Sequence, residues 1–136
     1  MTGVDSSPTM ISLCRSRLPD HGWVVADMRR LSLGRRFDAI LAWDSFFHHD
    51  HDDQRGMFAV FGEHSSADAV LMLNTGPGHG EGVGSYRGDP LYHASLAPAE
   101  YVTLVNGIGF EVIERAANDA RAGGRTVWLC TSPANS

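Results

Sequence analysis

The stretch Met1-Thr2-Gly3-Val4-Asp5-Ser6-Ser7-Pro8 decides how the chain is read. Val4-Asp5 has the character of a buried strand end, and Ser6-Ser7-Pro8 that of a helix start. Ser7 carries a hydroxyl suited to capping, and Pro8 fits the first turn, where its missing N–H is not needed. A carboxylate at such a junction is how a parallel α/β sheet grips the two hydroxyls of a ribose. That arrangement asks for a strand and a glycine-rich turn ahead of the carboxylate, and neither precedes Asp5 in this sequence. The expectation is a nucleoside-cofactor site with one half missing.

Working outward, the spacing predicts a first helix over Pro8–Leu18, with Ile11, Cys14 and Leu18 on one face, broken by Pro19-Asp20-His21-Gly22. A short strand, Trp23–Ala26, ends at Asp27. Phe37–Trp43, FDAILAW, is almost continuously apolar. That is the pattern of a central parallel strand covered on both faces. His49–Asp53 forms a polar lead into a second helix, Asp53–His64, with Met57, Phe58 and Phe61 facing inward. Asp68–Asn74 reads as a second fully buried strand.

Thr75–Gly88 holds Gly76, Gly78, Gly80, Gly82, Gly84 and Gly88 and reads as a mobile loop. It lacks GxxxxGK[ST], and its glycines alternate instead of following dinucleotide-binding spacing. Pro98 opens a third helix with Tyr101, Leu104, Val105 and Ile108 on one face, and Gly107-Ile108-Gly109 ends it. Phe110–Arg115 and Arg125–Thr131 are joined closely enough to form an antiparallel hairpin. Pro133–Ser136 is read as a frayed tail. Strands alternating with helices and closing on a hairpin predict a single α/β domain over residues 1–136, a three-layer sandwich with a mostly parallel sheet.

The bulk composition narrows the function classes. The net charge is −5, with no Lys and eleven scattered Arg, which argues against a nucleic-acid backbone as partner. No run of 18 apolar residues exists, so no spanning helix is expected, and the N-terminus lacks the pattern of a signal peptide. Cys14 and Cys130 share no CxxC spacing and read as buried, reduced, structural thiols, which fits the cytoplasm.

Three strand ends point the same way in this architecture: Asp5, Asp27-Met28 and Trp43-Asp44. Ligands of open α/β sheets bind at the carboxyl ends of strands. Asp5 would accept hydrogen bonds from ribose hydroxyls. Asp27 would accept from an exocyclic adenine amine, the Met28 N–H would donate to a ring nitrogen, and the Met28 side chain would lie on the adenine face.

With those residues in view, the chain resembles a class I S-adenosylmethionine-dependent methyltransferase. The matching stretches are GVDSSPTMISLCRSRLP, VVADMRRL, RRFDAILAWDSFFHH, DAVLMLNTGPGHGEGVGSYRGDPLYHASLAPAEY, GFEVIERAAND and GGRTVWL. They run in the family's order through almost the whole chain. The resemblance implies S-adenosyl-L-methionine as cofactor, a Rossmann-like sheet with the hairpin at one edge, and site residues taken one by one. Asp5 matches the ribose-holding acid and Ser6 follows it beside the adenosine. Asp27 and Met28 match the adenine-edge pair. Ala42 and Trp43 match the residues near the methionine part.

The resemblance also implies a first strand and a GxGxG-type loop upstream of Asp5, so the chain is expected to be an N-terminally truncated member. Two strands would then be left with unpaired main-chain groups, costly if buried. They would pair with each other, borrow a strand, or leave the fold unstable.

Methyl transfer from a sulfonium needs alignment and exclusion of water more than covalent help. Candidates for a general base are His48, His49 and His93, with Tyr86 and Tyr92 as substrate-facing hydroxyls. The run His48–Asp53, HHDHDD, lacks a metal-ligand spacing and suits a helix cap, so no metal is expected. The leading reading is methyl transfer to a small-molecule acceptor. The alternative is a non-catalytic remnant that self-associates, a homo-oligomer covering the exposed sheet region. A nicotinamide dehydrogenase fragment is permitted by Asp5 alone but disfavoured by FDAILAWDSFFHH and the hairpin.

Overall fold

The computed structural model describes residues 1–86 and 88–132; of Ser85 and Tyr86 it describes the main chain only. The expectations for the Tyr86 side chain and the Pro133–Ser136 tail lie outside the described residues.

Local chemistry starts the first and third helices where the sequence leads one to expect, while the second begins at His51, two residues ahead of the expected Asp53. Asp5 Oδ1 accepts the Ser7 N–H at 2.8 Å, and Ser7 Oγ accepts the Met10 N–H at 3.2 Å, so that β1 (Thr2–Asp5) turns into α1 (Pro8–Arg17). β2 is Gly22–Val25. A 3-10 turn, Met28–Arg30, follows. β3 is Phe37–Ala42. A second 3-10 turn, Phe46–His48, leads to Asp50, which accepts the Asp53 N–H at 2.8 Å and caps α2 (His51–Glu63). Asp52 and Asp53 then sit in the first turn, where the helix dipole favours them. β4 is Ser65–Thr75, and α3 (Pro98–Gly107) begins at its proline. β7 (Glu111–Asp119) and β8 (Arg125–Thr131) form the expected antiparallel hairpin, turned at Gly123 and Gly124, both at positive φ.

The strands are distributed over three sheets. β1 pairs with β2 in parallel, from Thr2 opposite Gly22 to Asp5 opposite Val25. A four-stranded mixed sheet runs β3-β4-β8-β7, parallel between β3 and β4 and antiparallel elsewhere. A ribbon of β5 (Gly80–Tyr86) and β6 (Asp89–Ser95) stands by itself. The strands expected to flank a missing one, β1 and β3, do not pair with each other; each pairs with its own neighbour.

Three expectations need correction. Thr75–Gly88 is not a loop: it contributes the last residue of β4 and one strand, β5, of a two-stranded ribbon. Its glycines recur every second residue, the period of a strand, and Gly82 stands opposite His93. β3 is not central and two-sided but an edge strand with one bare face. Its Ile40 and Ala42 join rows with Leu71 and Cys130, and with Leu73 and Trp128, packed on α2 and α3. The alternate row, Leu41–Met72–Leu129, faces the other way, and Leu41 is 66% exposed. No described helix supplies the second cover that FDAILAW anticipates. Cys14 is half-buried, whereas Cys130 is fully buried; both are free.

The core is aromatic. Phe46, at 0% exposure, meets Phe58 edge-on at 5.6 Å and Tyr101 at 6.0 Å, and Tyr101 meets Trp128 at 5.6 Å. These contacts fix the segment between β3 and α2, which carries two of the candidate bases, His48 and His49. Among the described residues no helix is long and apolar enough to cross a membrane.

Candidate active site

The site has two poles, both at the carboxyl ends of strands. At the first, Asp5 ends β1 half-buried, and among the described residues only its Oδ1 makes a hydrogen bond. Its second oxygen is left to take a ribose hydroxyl, which fits a nucleoside-bearing cofactor. Ser6 beside it is exposed. The Ala26 N–H donates to the Asp5 carbonyl at 3.0 Å, which carries the ladder one residue on and brings Asp27 to the same end.

Asp27 is already engaged. It accepts the Arg29 N–H at 2.9 Å and the Arg29 guanidinium at 2.6 Å. These hydrogen bonds, the side-chain one foremost, hold the carboxyl well below the usual carboxylate range. Arg29 reaches on to Asp53 Oδ2 of α2 at 3.2 Å, tying this pole to the larger sheet. An adenine amine at Asp27 would therefore share its acceptor with Arg29. Met28 is half-buried and packs against the core, so its apolar surface is shared in the same way.

The second pole is a cleft of about 1020 Å³ at the ends of β3 and β4, bordered by the ribbon. Asp44 lies in it with φ 52, a left-handed conformation uncommon outside glycine. Four hydrogen bonds hold it. The Asp44 N–H donates to Asn74 Oδ1 at 2.8 Å, Asn74 Nδ2 donates to Asp44 Oδ1 at 2.7 Å, and Arg125 grips both carboxylate oxygens at 2.7 Å. Arg125, through its hydrogen bonds, is the main cause holding the Asp44 carboxyl below its ordinary value. Strain held by its surroundings marks functional positions. Met10 of α1 also borders the cleft, so the two poles are neighbours.

The ribbon is held down by polar groups, half-buried at His51 and fully buried at Gln54 and Tyr101. His51 Nε2 lies 3.1 Å from the Gly80 carbonyl and 3.0 Å from that of Ser95. Gln54 Nε2 donates to the Ala94 carbonyl at 2.8 Å, and Tyr101 Oη donates to Gln54 Oε1 at 2.6 Å. At the ribbon's root a Cβ on Gly76 would come within 2.8 Å of Ser95, so only glycine allows that approach. The HHDHDD run is thus spent on a cleft residue, a helix cap and a ribbon anchor.

Of the sequence candidates, the structure brings His48 and His93 into the cleft. His49 lies near Arg29, Asp27 and Asp53 instead, its pKa lowered chiefly by burial. The Tyr92 hydroxyl donates to Glu81 at 2.7 Å, and its pKa is pushed up to about 12 by that bond. Ala42 is buried in the core, leaving only its main chain for a cofactor. Trp43 lies at the end of the strand carrying Leu41, with Arg125 over its ring at 5.6 Å. Asp44, Asn74 and Arg125 were not anticipated as a group. Asp44 followed the strand end in plain view, but Arg125 lies 81 residues away.

A family model described as "Methyltransferase domain" matches residues 1–75, just over half of the chain. No curated protein matches the sequence. Several solved structures share the fold. The glycopeptide N-methyltransferase MtfA complexed with S-adenosyl-L-homocysteine has a TM-score of 0.75 at 18% identity, covering 97% of this chain and 73% of that one. S-adenosylmethionine-bound CalS10, an amino pentose methyltransferase from Micromonospora echinaspora involved in calicheamicin biosynthesis, has 0.77 at 18%, covering 97% and 73%. A S-adenosylmethionine-dependent methyltransferase from Clostridium acetobutylicum has 0.77 at 12%, covering 96% and 74%.

Proposed function

The chain belongs to the methyltransferase domain family, whose methyl donor is S-adenosyl-L-methionine, and from that premise we propose that it methylates a small organic acceptor held in the cleft beside the β5–β6 ribbon. The observation that carries this reading is a carboxylate with a spare oxygen, Asp5, at the carboxyl end of β1, just ahead of the helix whose Met10 borders the 1020 Å³ cleft. Asp5 and Ser6 hold the ribose, Asp27 and Met28 the adenine edge, and Ala42 and Trp43 the approach to the methionine part. The bound donor supplies an electrophilic methyl group. The protein's own residues orient the two reactants and exclude water. The acidic charge balance and a ribbon-bordered concavity suit a small organic molecule over nucleic acid. The free thiols Cys14 and Cys130 suit the cytoplasm.

Calorimetric titration of the chain with S-adenosylhomocysteine tests this. We expect micromolar binding that weakens at least tenfold in Asp5→Ala, about 1.4 kcal/mol. A folded chain that takes up no ligand would overturn the reading. A second reading, a non-catalytic remnant that self-associates, draws on the row Leu41–Met72–Leu129, in which Leu41 is exposed and Met72 and Leu129 are half-buried. Such apolar faces invite a partner, here a second copy. Sedimentation showing a monomer that binds S-adenosylhomocysteine would exclude it.

A further inference from the structure

Within the proposed methyl transfer, we infer that His48 is the proton acceptor for the methyl-receiving atom, and that the main-chain carbonyl of Tyr92 sets it in that state. His48 Nδ1 lies 3.0 Å from the Tyr92 carbonyl oxygen. A carbonyl only accepts, so Nδ1 must carry the hydrogen. A neutral imidazole has one N–H, so Nε2 keeps its lone pair. His48 borders the cleft, and with Nδ1 committed to Tyr92, Nε2 is the nitrogen left to meet a ligand there.

The ring is held from both sides. Phe46, fully buried, fixes the turn that carries His48, and the Phe47 ring lies 4.5 Å away. The ribbon provides the carbonyl, and the ribbon is pinned by His51 and Gln54. The competing candidates lack this combination. His49 lies beside Arg29, outside the cleft lining. The Tyr92 hydroxyl is a poor acceptor because it gives its own proton to Glu81. His93 borders the cleft on the ribbon itself, beside Gly82 and Gly84. Tyr92 thus acts through its main chain as a positioning residue for His48.

The step balances without further reactants. The lone pair of an acceptor oxygen or nitrogen forms the bond to the methyl carbon. The carbon–sulfur bond breaks, and its electron pair passes to sulfur. The proton left on the acceptor moves to His48 Nε2. The imidazolium still donates Nδ1–H to Tyr92, so the ring need not turn. The charged and titratable groups around it are Asp44 and His49 on its own segment, Arg125 from β8, and Glu81 and His93 from the ribbon.

The test uses the chain with ¹⁵N-labelled histidine. Long-range ¹H–¹⁵N correlation at pH 8, assigned with His48→Gln, should show His48 in the Nδ1–H form. The Nε2–H form overturns the inference. Diethyl pyrocarbonate, which reacts only with an unprotonated ring nitrogen, should modify His48, read by peptide mass spectrometry; a His48 that stays unmodified at pH 8 also overturns it. His48→Gln keeps a donor for the Tyr92 carbonyl but no base. Its affinity for S-adenosylhomocysteine should stay within about twofold of the parent's, while methyl transfer to a mixture of simple amines and phenols falls on the order of a hundredfold or more. Equal turnover by His48→Gln overturns the inference. Loss of S-adenosylhomocysteine binding by the parent chain instead counts against the methyltransferase reading itself.

Discussion

The first 36 residues and the rest of the chain are built to different standards. Of the buried apolar side chains among the described residues, only Ile11 comes from β1, α1 or β2; the others lie between Ala42 and Cys130. The residues proposed to hold the cofactor, Asp5 and Asp27, therefore sit on the thinly packed half. The cleft proposed for the acceptor, with His48, sits on the half with the aromatic core. Arg29 reaching from Asp27 to Asp53, and Met28 packed on the core, join the two. Regions with few buried apolar contacts open locally at lower free energy than the core. The half that would grip the nucleoside is thus the half most able to respond to it, and the half that would position the acceptor is the rigid one.

The largest test of that contrast is Phe46→Ala. It removes a fully buried ring that meets three other aromatics, and should cost about 3–5 kcal/mol in urea denaturation. A loss below about 1 kcal/mol would break the contrast. Gly3→Ala probes the other half. A Cβ there would overlap the Trp23 ring, so we expect a loss of about 1–3 kcal/mol. Hydrogen exchange should speed up in β1 and β2 while β4 and β8 stay protected.

His49 sits close to the join, and burial lowers its pKa below 6.5. The unfolded chain therefore takes up this proton at higher pH than the folded one. The stability associated with neutral His49 is present above pH 6.5 and is lost as pH falls through the folded value. His49→Gln should flatten the dependence of the urea midpoint between pH 7.5 and 5.5, and an unchanged slope would remove His49 from the account. The smallest expected effect is Leu41→Ser. Leu41 is exposed in mid-strand, so stability should move by no more than about 0.5 kcal/mol, whereas the same change at Leu71, on the covered face, should cost several times that.

Much of the first half was legible from local rules. The Ser7 cap, Pro8 and the strand end at Asp5 each depend on neighbours within a few residues, and each formed as expected. The glycine run shows a signal present but misread. Its period of two was the mark of a strand, yet the composition suggested a loop, and only pairing with Asp89–Ser95 turned the alternation into a ribbon. The apolar run Phe37–Trp43 shows the reverse: the pattern asks for two covers, and the fold described provides one.

The candidate site divides along the same line. Acidic residues at strand ends and a histidine pair after β3 are visible in the order of residues, because strand direction places them at one rim. Nothing in that order distinguishes His48 from His49. The choice came from a carbonyl 44 residues away that fixes one ring's tautomer, and from burial beside Arg29 that takes the other elsewhere. The grip of Arg125 and Asn74 on a left-handed Asp44 is likewise a product of three strand ends meeting. Periodicity and capping are properties of adjacent residues, so the chain's own order establishes its elements and its family. Tautomers, ion pairs and backbone strain depend on groups brought together through space, and those were decided only when the sheet assembled.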